Sequence, residues 1–522
     1  MNAMKTEQVR QVRRAALAAG VGAVLVAGVL LFVPDKEQGP SAPGPEARAM
    51  AAADAGAPAA LADLTALIRD RERWLRTHPE DGQSWAALGS AYVERGARQA
   101  DSAYYPKAGR ALRRSLALPV AAGARGNPDA LVGLASLANA RHDFAAAKKW
   151  GEEARALRPA GWTAYPVLID AYSGLGDYAA AGKALDRLKE LRSGSAVLEL
   201  AAQVYRDRGW REDAAAKAAE AVARAGSPAE KAEALRMSGD LAWERGEPQE
   251  ALGQYGAALT AVRDHPGALA GRARALAAVG RTDEALSAYQ LALEKLPELA
   301  YLLELGELYD SLGLDGDART QYAALRDRAA LAREHGVDEE VVLARFEADH
   351  DEARTAVERL RAQWRRGHRN MWVADALGWA LYRAGEGKEA LTYAKKATDQ
   401  GLRSALFSYH RGEIERSLEM YGQARRHLEE ALRTNPVFSP LLAPRAREAR
   451  DTLGEPAEGG PEDMYGDEEP ARSGTDTGAD AGADTGSGAT AVPSAKPAPT
   501  PKPKLTSTPK PTPTPSASAV TA

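Results

Sequence analysis

Alanine returns along this chain at a nearly fixed step. Ala147, Ala181, Ala214, Ala251, Ala285, Ala318, Ala353, Ala390 and Ala424 each open an apolar helical stretch, at steps of 34, 33, 37, 34, 33, 35, 37 and 34 residues. Five residues before most of them stands a glycine, at Gly176, Gly209, Gly246, Gly280, Gly313 and Gly385. Seven residues after most of them comes a second small apolar residue, such as Ala154, Ala221, Ala258, Ala292, Ala397 and Ala431. A period near 34 predicts one supersecondary unit stacked many times, each copy covering the apolar flank of the next. Composition agrees: hydrophobics are 45% and aromatics only 6%, much of the remainder being alanine, which packs helices at short range.

The stretch WAALGSAYVERG, Trp85 to Gly96, shows what the unit contains. Trp85, Leu88, Gly89 and Tyr92 share one helical face. Gly89 lets a neighbouring helix approach, and the larger residues fill the space around it. Gly96 permits the turn into a second helix. The returning alanine starts that second helix, where a larger side chain would push the pair apart. Pro159, Pro297 and Pro436 fall between units, where they interrupt neither helix.

These residues resemble the tetratricopeptide repeat family, with its W-x2-L-G-x2-Y, A-x3-F and P pattern. Trp85 to Tyr92 matches the first half. Leu302, Leu305-Gly306 and Tyr309, followed by Ala318 and Tyr322, match nearly as well, as do Leu377-Gly378, Ala390 and Ala397. The resemblance covers about three quarters of the chain. It implies an all-α fold, a right-handed α-α superhelix of about ten helical hairpins. They start near Gly82, Pro128, Trp162, Ser195, Ala232, Pro266, Leu299, Glu334, Met371 and Ala405. The first hairpin has extra residues around Gln99 to Tyr105. The eighth, Val341 to Leu360, lacks a turn glycine and has a poorly defined first helix. Leu61 to Thr77 and Leu441 to Leu453 are expected as capping helices, the second with Arg445, Arg447 and Arg450 facing water.

The ends have a different character. Ala15 to Val33 is 19 uncharged residues, about 28 Å as a helix and close to one bilayer core. Lys5, Arg10, Arg13 and Arg14 precede it, so residues 1–14 are expected in the cytosol, 15–33 as a single transmembrane anchor and the remainder outside the plasma membrane. Ala15, Ala19, Ala23 and Ala27 form a small-residue face suited to self-association through that anchor. Residues 34–60 are expected as a flexible linker, 61–454 as the repeat array and 455–522 as a disordered tail. Glu455 to Asp484 carries ten acidic residues against one Arg, and Pro493 to Pro515 alternates Pro with Thr, Ser, Ala and Lys.

No chemistry-bearing motif rises above this frame. The net charge is -4 with interspersed signs, so no basic field suits nucleic acid. Cysteine is absent, which excludes disulfides, thiolate metal sites and a Cys nucleophile. The eight histidines are scattered without HExxH or paired ligand spacing. The acidic knot EADHDE, Glu347 to Glu352, falls where the eighth hairpin should turn, and LDGD, Leu314 to Asp317, falls at another turn. DTGADAGAD in the tail reads as low complexity. No metal, cofactor or catalytic residue is expected, and an enzyme hidden in the eighth repeat is the residual alternative.

The resemblance implies that first helices line a concave groove that takes extended peptides or protein segments. Carried onto this register, the inward positions are Asp170, Glu199, Gln203, Arg206, Arg236, Asp240, Trp243, Arg274, Glu307, Asp310, Asp375, Trp379 and Tyr382. The partner-binding subset is Arg206, Arg236, Asp240, Trp243, Arg274, Asp310, Asp375, Trp379 and Tyr382, because Trp and Arg anchor protein interfaces. The Lys and Asn pair with which some family members clamp a C-terminal carboxylate is not matched here. The expected function is a membrane-anchored scaffold for protein partners on the outer side of the plasma membrane. The run Leu67 to Tyr92 also resembles the first repeat of cytochrome c maturation proteins, which implies, as the alternative, an accessory factor in envelope or cytochrome c biogenesis.

Overall fold

The computed structural model describes residues 44–56, 59–119 and 126–454. Among these residues the chain is helical, with no strand. Ten hairpins follow one another. Hairpins 1 to 5 pair Gly82–Gln99 with Tyr104–Ala117, Pro128–Ala140 with Phe144–Leu157, Ala164–Leu175 with Tyr178–Leu191, Ser195–Asp207 with Arg211–Arg224, and Pro228–Glu244 with Pro248–Ala261. Hairpins 6 to 10 pair Pro266–Ala278 with Thr282–Lys295, Leu299–Ser311 with Asp315–Glu334, Glu340–His350 with Ala353–Arg365, Met371–Arg383 with Gly387–Thr398, and Ala405–Ser417 with Tyr421–Thr434. Leu61–Thr77 precedes the array and Leu442–Thr452 closes it.

The turns explain the glycines. In hairpin 2 the amide of Asp143 donates to Ala138 O, five residues back, and the equivalent bond recurs at Asp177, Trp210, Glu247, Arg281, Leu314, Glu386 and Met420. That is the Schellman closure of a helix C-terminus, and it needs one residue in the left-handed region. Gly176, Gly209, Gly246, Gly280, Gly313 and Gly385 supply it, with φ between 71° and 86°. Where the glycine is missing, His142 (φ 56°) and Glu419 (φ 60°) take the same conformation.

The helix faces explain the alanines. Ala147, Ala214, Ala251, Ala285, Ala318, Ala390 and Ala424 are fully buried. Four residues on, a larger side chain fills the glycine notch of the first helix. A Cβ on Gly89 would sit 2.5 Å from Leu112 Cγ, and one on Gly239 would sit 2.6 Å from Tyr255 Cε1. Tyr322 occupies the matching notch at Gly306. In hairpin 8 the expected alanine is displaced: Ala353 is only partly buried and Ala356 holds the slot. The reason is position. The slot is the fourth residue of the second helix, and this helix begins at Ala353.

The superhelix completes a turn and lands on itself. Side-chain bonds join the turns of hairpins 2 to 5 to loops 192 to 196 residues further on, so the pitch is constant. Asp338 N donates to Arg141 O at 3.1 Å. Asn370 Nδ2 donates to Gly174 O at 2.7 Å, Arg211 Nη2 to Arg403 O at 3.0 Å, and Asn435 Nδ2 to Trp243 O at 2.7 Å. At hairpin 1, Arg328 Nη2 donates to Ala100 O at 3.1 Å. The second coil therefore sits on the turns of the first, and these bonds satisfy backbone carbonyls at helix ends.

The N-terminal stretch departs from the expectation of a linker. Within 34–60, Pro45–Ala55 is helical, started by Pro45 at its first position and closed by Gly56 in the left-handed conformation. Ala49 is buried and Arg48 pairs with Asp63 of the next helix. Alanine content, which suggested a spacer, supplies helix propensity here. The apolar run 15–33 and the tail 455–522 lie outside the described residues. Among the described residues no helix is long and apolar enough to cross a membrane.

Candidate functional site

The first helices face inward, and between the two coils they line a cavity of about 1130 Å³ that is open to solvent. Its wall is drawn mainly from the first helices of hairpins 5 to 9, the loops flanking hairpin 10 and the closing helix. A second cavity of about 640 Å³ adjoins it along hairpins 2 to 4, and Arg206 and Trp372 border both. Because second-coil loops rest on first-coil turns, the inner faces of both coils look onto one shared, solvent-open groove.

Of the expected groove residues, Arg206, Arg236, Asp240, Trp243, Arg274 and Trp379 line the larger cavity, together with Glu307. Asp170 and Gln203 line the smaller one. Glu199, Asp310, Asp375 and Tyr382 line neither. The arginines are held in place by carboxylates. Arg206 Nε lies 2.8 Å from Glu244 Oε1, and Arg274 Nη2 donates to Glu304 Oε1 at 2.8 Å. Arg236 pairs with both Glu233 and Asp240, while Tyr255 Oη donates to Asp240 Oδ1 at 2.6 Å. Burial pushes the Glu233 carboxyl up, but the His265 hydrogen bond and the Arg236 charge outweigh it and hold the group well below its usual range. Such pairs fix side-chain directions, and their charges are already balanced.

Trp379 is no free anchor. It is 4% exposed. Its Nε1 donates to Asp349 at 3.0 Å, and its ring stacks on His410 at 4.1 Å and 16°. His410 in turn is bound at 2.9 Å by Asp375, which accounts for that carboxylate as well. Asp310 accepts from Tyr322 Oη at 2.6 Å, and Tyr382 packs against the Trp379 ring. Trp243 is 8% exposed and lies near Arg274, 5.9 Å from ring to guanidinium.

The open aromatic is Trp372, which is 41% exposed. It projects where the two cavities meet, with the Arg206 guanidinium 5.6 Å from its ring centre and Phe407 edge-on at 5.0 Å. A signal for it was present, since Trp372 lies seven residues before Trp379 and so on the same helical face. Arg345 and Arg403, both exposed on the cavity wall, have no carboxylate partner among the described residues. Glu307 accepts no hydrogen bond from the described residues. Burial pushes its carboxyl to about 7, Asp349 and Glu304 adding to the effect and Arg345 opposing it. Burial alone pushes Asp170 to about 6.

The acidic knot is absorbed by structure. Glu347 binds Arg359 at 2.8 Å, Asp349 binds Trp379, His350 stacks on Phe346, and Asp351 binds Arg326 at 2.8 Å. Among the described residues no three His, Asp or Glu side chains converge as a metal-binding group.

Stacked hairpins around an inward-facing wall define a helical-repeat array. Its glycine notch, returning alanine and Schellman turn resemble the tetratricopeptide pattern. No family model matches the sequence, and no curated protein matches it. Solved structures of the same kind are similar to it. A tetratricopeptide repeat protein from Parabacteroides merdae is 18% identical, covering 50% of this chain and 99% of its own, with a TM-score of 0.32. Pseudomonas aeruginosa PilF is 18% identical, covering 42% and 97%, with a TM-score of 0.32. Human IFIT1, in a dimer with PPP-AAAA, is 16% identical, covering 68% and 82%, with a TM-score of 0.40.

Proposed function

We propose that the chain is a non-catalytic scaffold that holds an extended segment of a protein partner inside its superhelix. The observation that carries this reading is Trp372, a large aromatic left 41% exposed on the cavity wall. Burying that ring on a partner would release about 2 kcal/mol from apolar area alone. Arg206 beside it adds a cation held ready by Glu244. Trp and Arg together at a concave centre are typical binding hot spots. The cavity exceeds the ~300–1,000 Å³ of a usual small-molecule site, which favours a chain segment.

The scaffold is tethered through residues 15–33, with the array on the outer face of the plasma membrane. The basic residues before that run and its length support this reading. A photo-reactive amino acid at position 372 in intact cells tests the binding site. The expected result is a discrete adduct to one partner segment. Adducts forming instead at the exposed Trp210, with none at 372, would move the site off the interior. Protease added to intact cells tests the topology: the array is expected to be cleaved and residues 1–14 protected.

A further inference from the structure

The seam between the coils has two halves, and among the described residues each half recurs unpaired at an edge of the array. On the turn side, the seam places left-handed glycines against loop backbone. Gly176 meets Arg369 and Asn370, Gly209 meets Gly401, and Gly246 meets Asn435. On the loop side, Gly401 (φ 110°) precedes hairpin 10 and lies against the Arg208 backbone.

The turns of hairpins 6, 7 and 9 repeat the same conformation at Gly280, Gly313 and Gly385, yet none of the described residues lies within 4 Å of a Cβ placed on any of them. Leu312 and Leu314 flank Gly313 at 41% and 42% exposure. In hairpin 3 the residue matching Leu312 is Leu175, whose Cδ2 reaches the second coil at Gly367. Among the described residues Leu312 has no such cover. At the opposite edge, Gly194 (φ 137°) lies in the loop before hairpin 4, as Gly401 lies in the loop before hairpin 10, and none of the described residues lies within 4 Å of a Cβ placed on it.

We propose that a second copy of this chain supplies the missing half, so that the turn edge of hairpins 6 to 9 docks on the loop edge of the first coil of another molecule. The contact continues the intramolecular seam and uses the same chemistry: left-handed turns on loop backbone, with a leucine beside the turn as Leu175 is in hairpin 3. It joins two different edges, so it is heterologous and propagates head to tail. It stands independently of what the interior holds.

The test uses full-length protein, isotope-labelled and unlabelled copies mixed, with cross-linking mass spectrometry to read only intermolecular links. Links are expected between the turns of hairpins 6 to 9 and the loops before hairpins 3 to 6. Sedimentation is expected to show protein mass rising with concentration in the native chain. The exposed double substitution Leu312→Asp, Leu314→Asp, with helicity unchanged, is expected to lose both signals while residue-372 adducts persist. Turn-to-turn links would overturn the proposal in favour of a symmetric pair. Self-association that survives the double substitution would assign it to residues 15–33, and a monomer at every concentration would reject it outright.

Discussion

The backbone of Gly209 rests on the carbonyl of Gly401, 192 residues later, with no room for a side chain between them. One glycine ends a helix and the other opens the loop before hairpin 10. Their contact turns a spiral of hairpins into two coils in register.

Gly209 and Gly280 form a matched pair, with φ of 76° and 77°. Among the described residues only the first has a neighbour at its Cβ position. Valine at Gly280 should cost about 1–2 kcal/mol, the left-handed penalty alone. Valine at Gly209 should cost about 1–3 kcal/mol more, because the second coil must also move. Urea unfolding of the two variants gives the difference, and hydrogen exchange at Arg403 and Asn435 reports whether the seam has opened.

Tyr255 is fully buried between Gly239 and Gly271 of adjacent hairpins. Tyr255→Ala should destabilise by about 3–5 kcal/mol through the cavity it leaves. Tyr255→Phe should cost about 1 kcal/mol, since Asp240 keeps Arg236 but loses the hydroxyl. Thermal unfolding of both variants checks the order.

Glu419 holds a left-handed conformation that glycine holds in six other hairpins. Glu419→Gly should therefore stabilise the array by about 1 kcal/mol. Glu419→Ala, which keeps the Cβ, should not, and denaturant midpoints separate the two.

Glu307 couples the interior to pH. Its folded pKa, about 7, lies above its ordinary 4.5, so the folded chain binds the extra proton between those values. Stability from this group is therefore present at the acid end and lost as pH rises through 7. Glu307→Gln should flatten the profile by about 2 kcal/mol between about pH 5 and pH 8, after allowance for solvent screening. Stability curves of native and variant protein across that range check the sign.

Periodicity carried nearly all of the fold. Seven hairpin starts agree to the residue, because proline, a cap or a turn glycine marks each boundary. The eighth started at Glu340 rather than Glu334, since the preceding helix runs 20 residues with no glycine to stop it earlier. The site was harder. Register identifies the face of a helix but not what covers it, and Trp379 is covered by His410, 31 residues later in sequence. Trp372 shares that face and is open only because the second coil places it where two cavities meet. Contacts across more than 190 residues leave no local pattern in the sequence.

The most direct test is whether the coils sit together in solution. The chain has no cysteine, so Arg211→Cys with Arg403→Cys gives a unique spin-label pair across the seam. Pulsed electron resonance should show one short, narrow distance. A broad distribution at long distances would mean an open spiral, and the shared groove with its Trp372 site would fall with it.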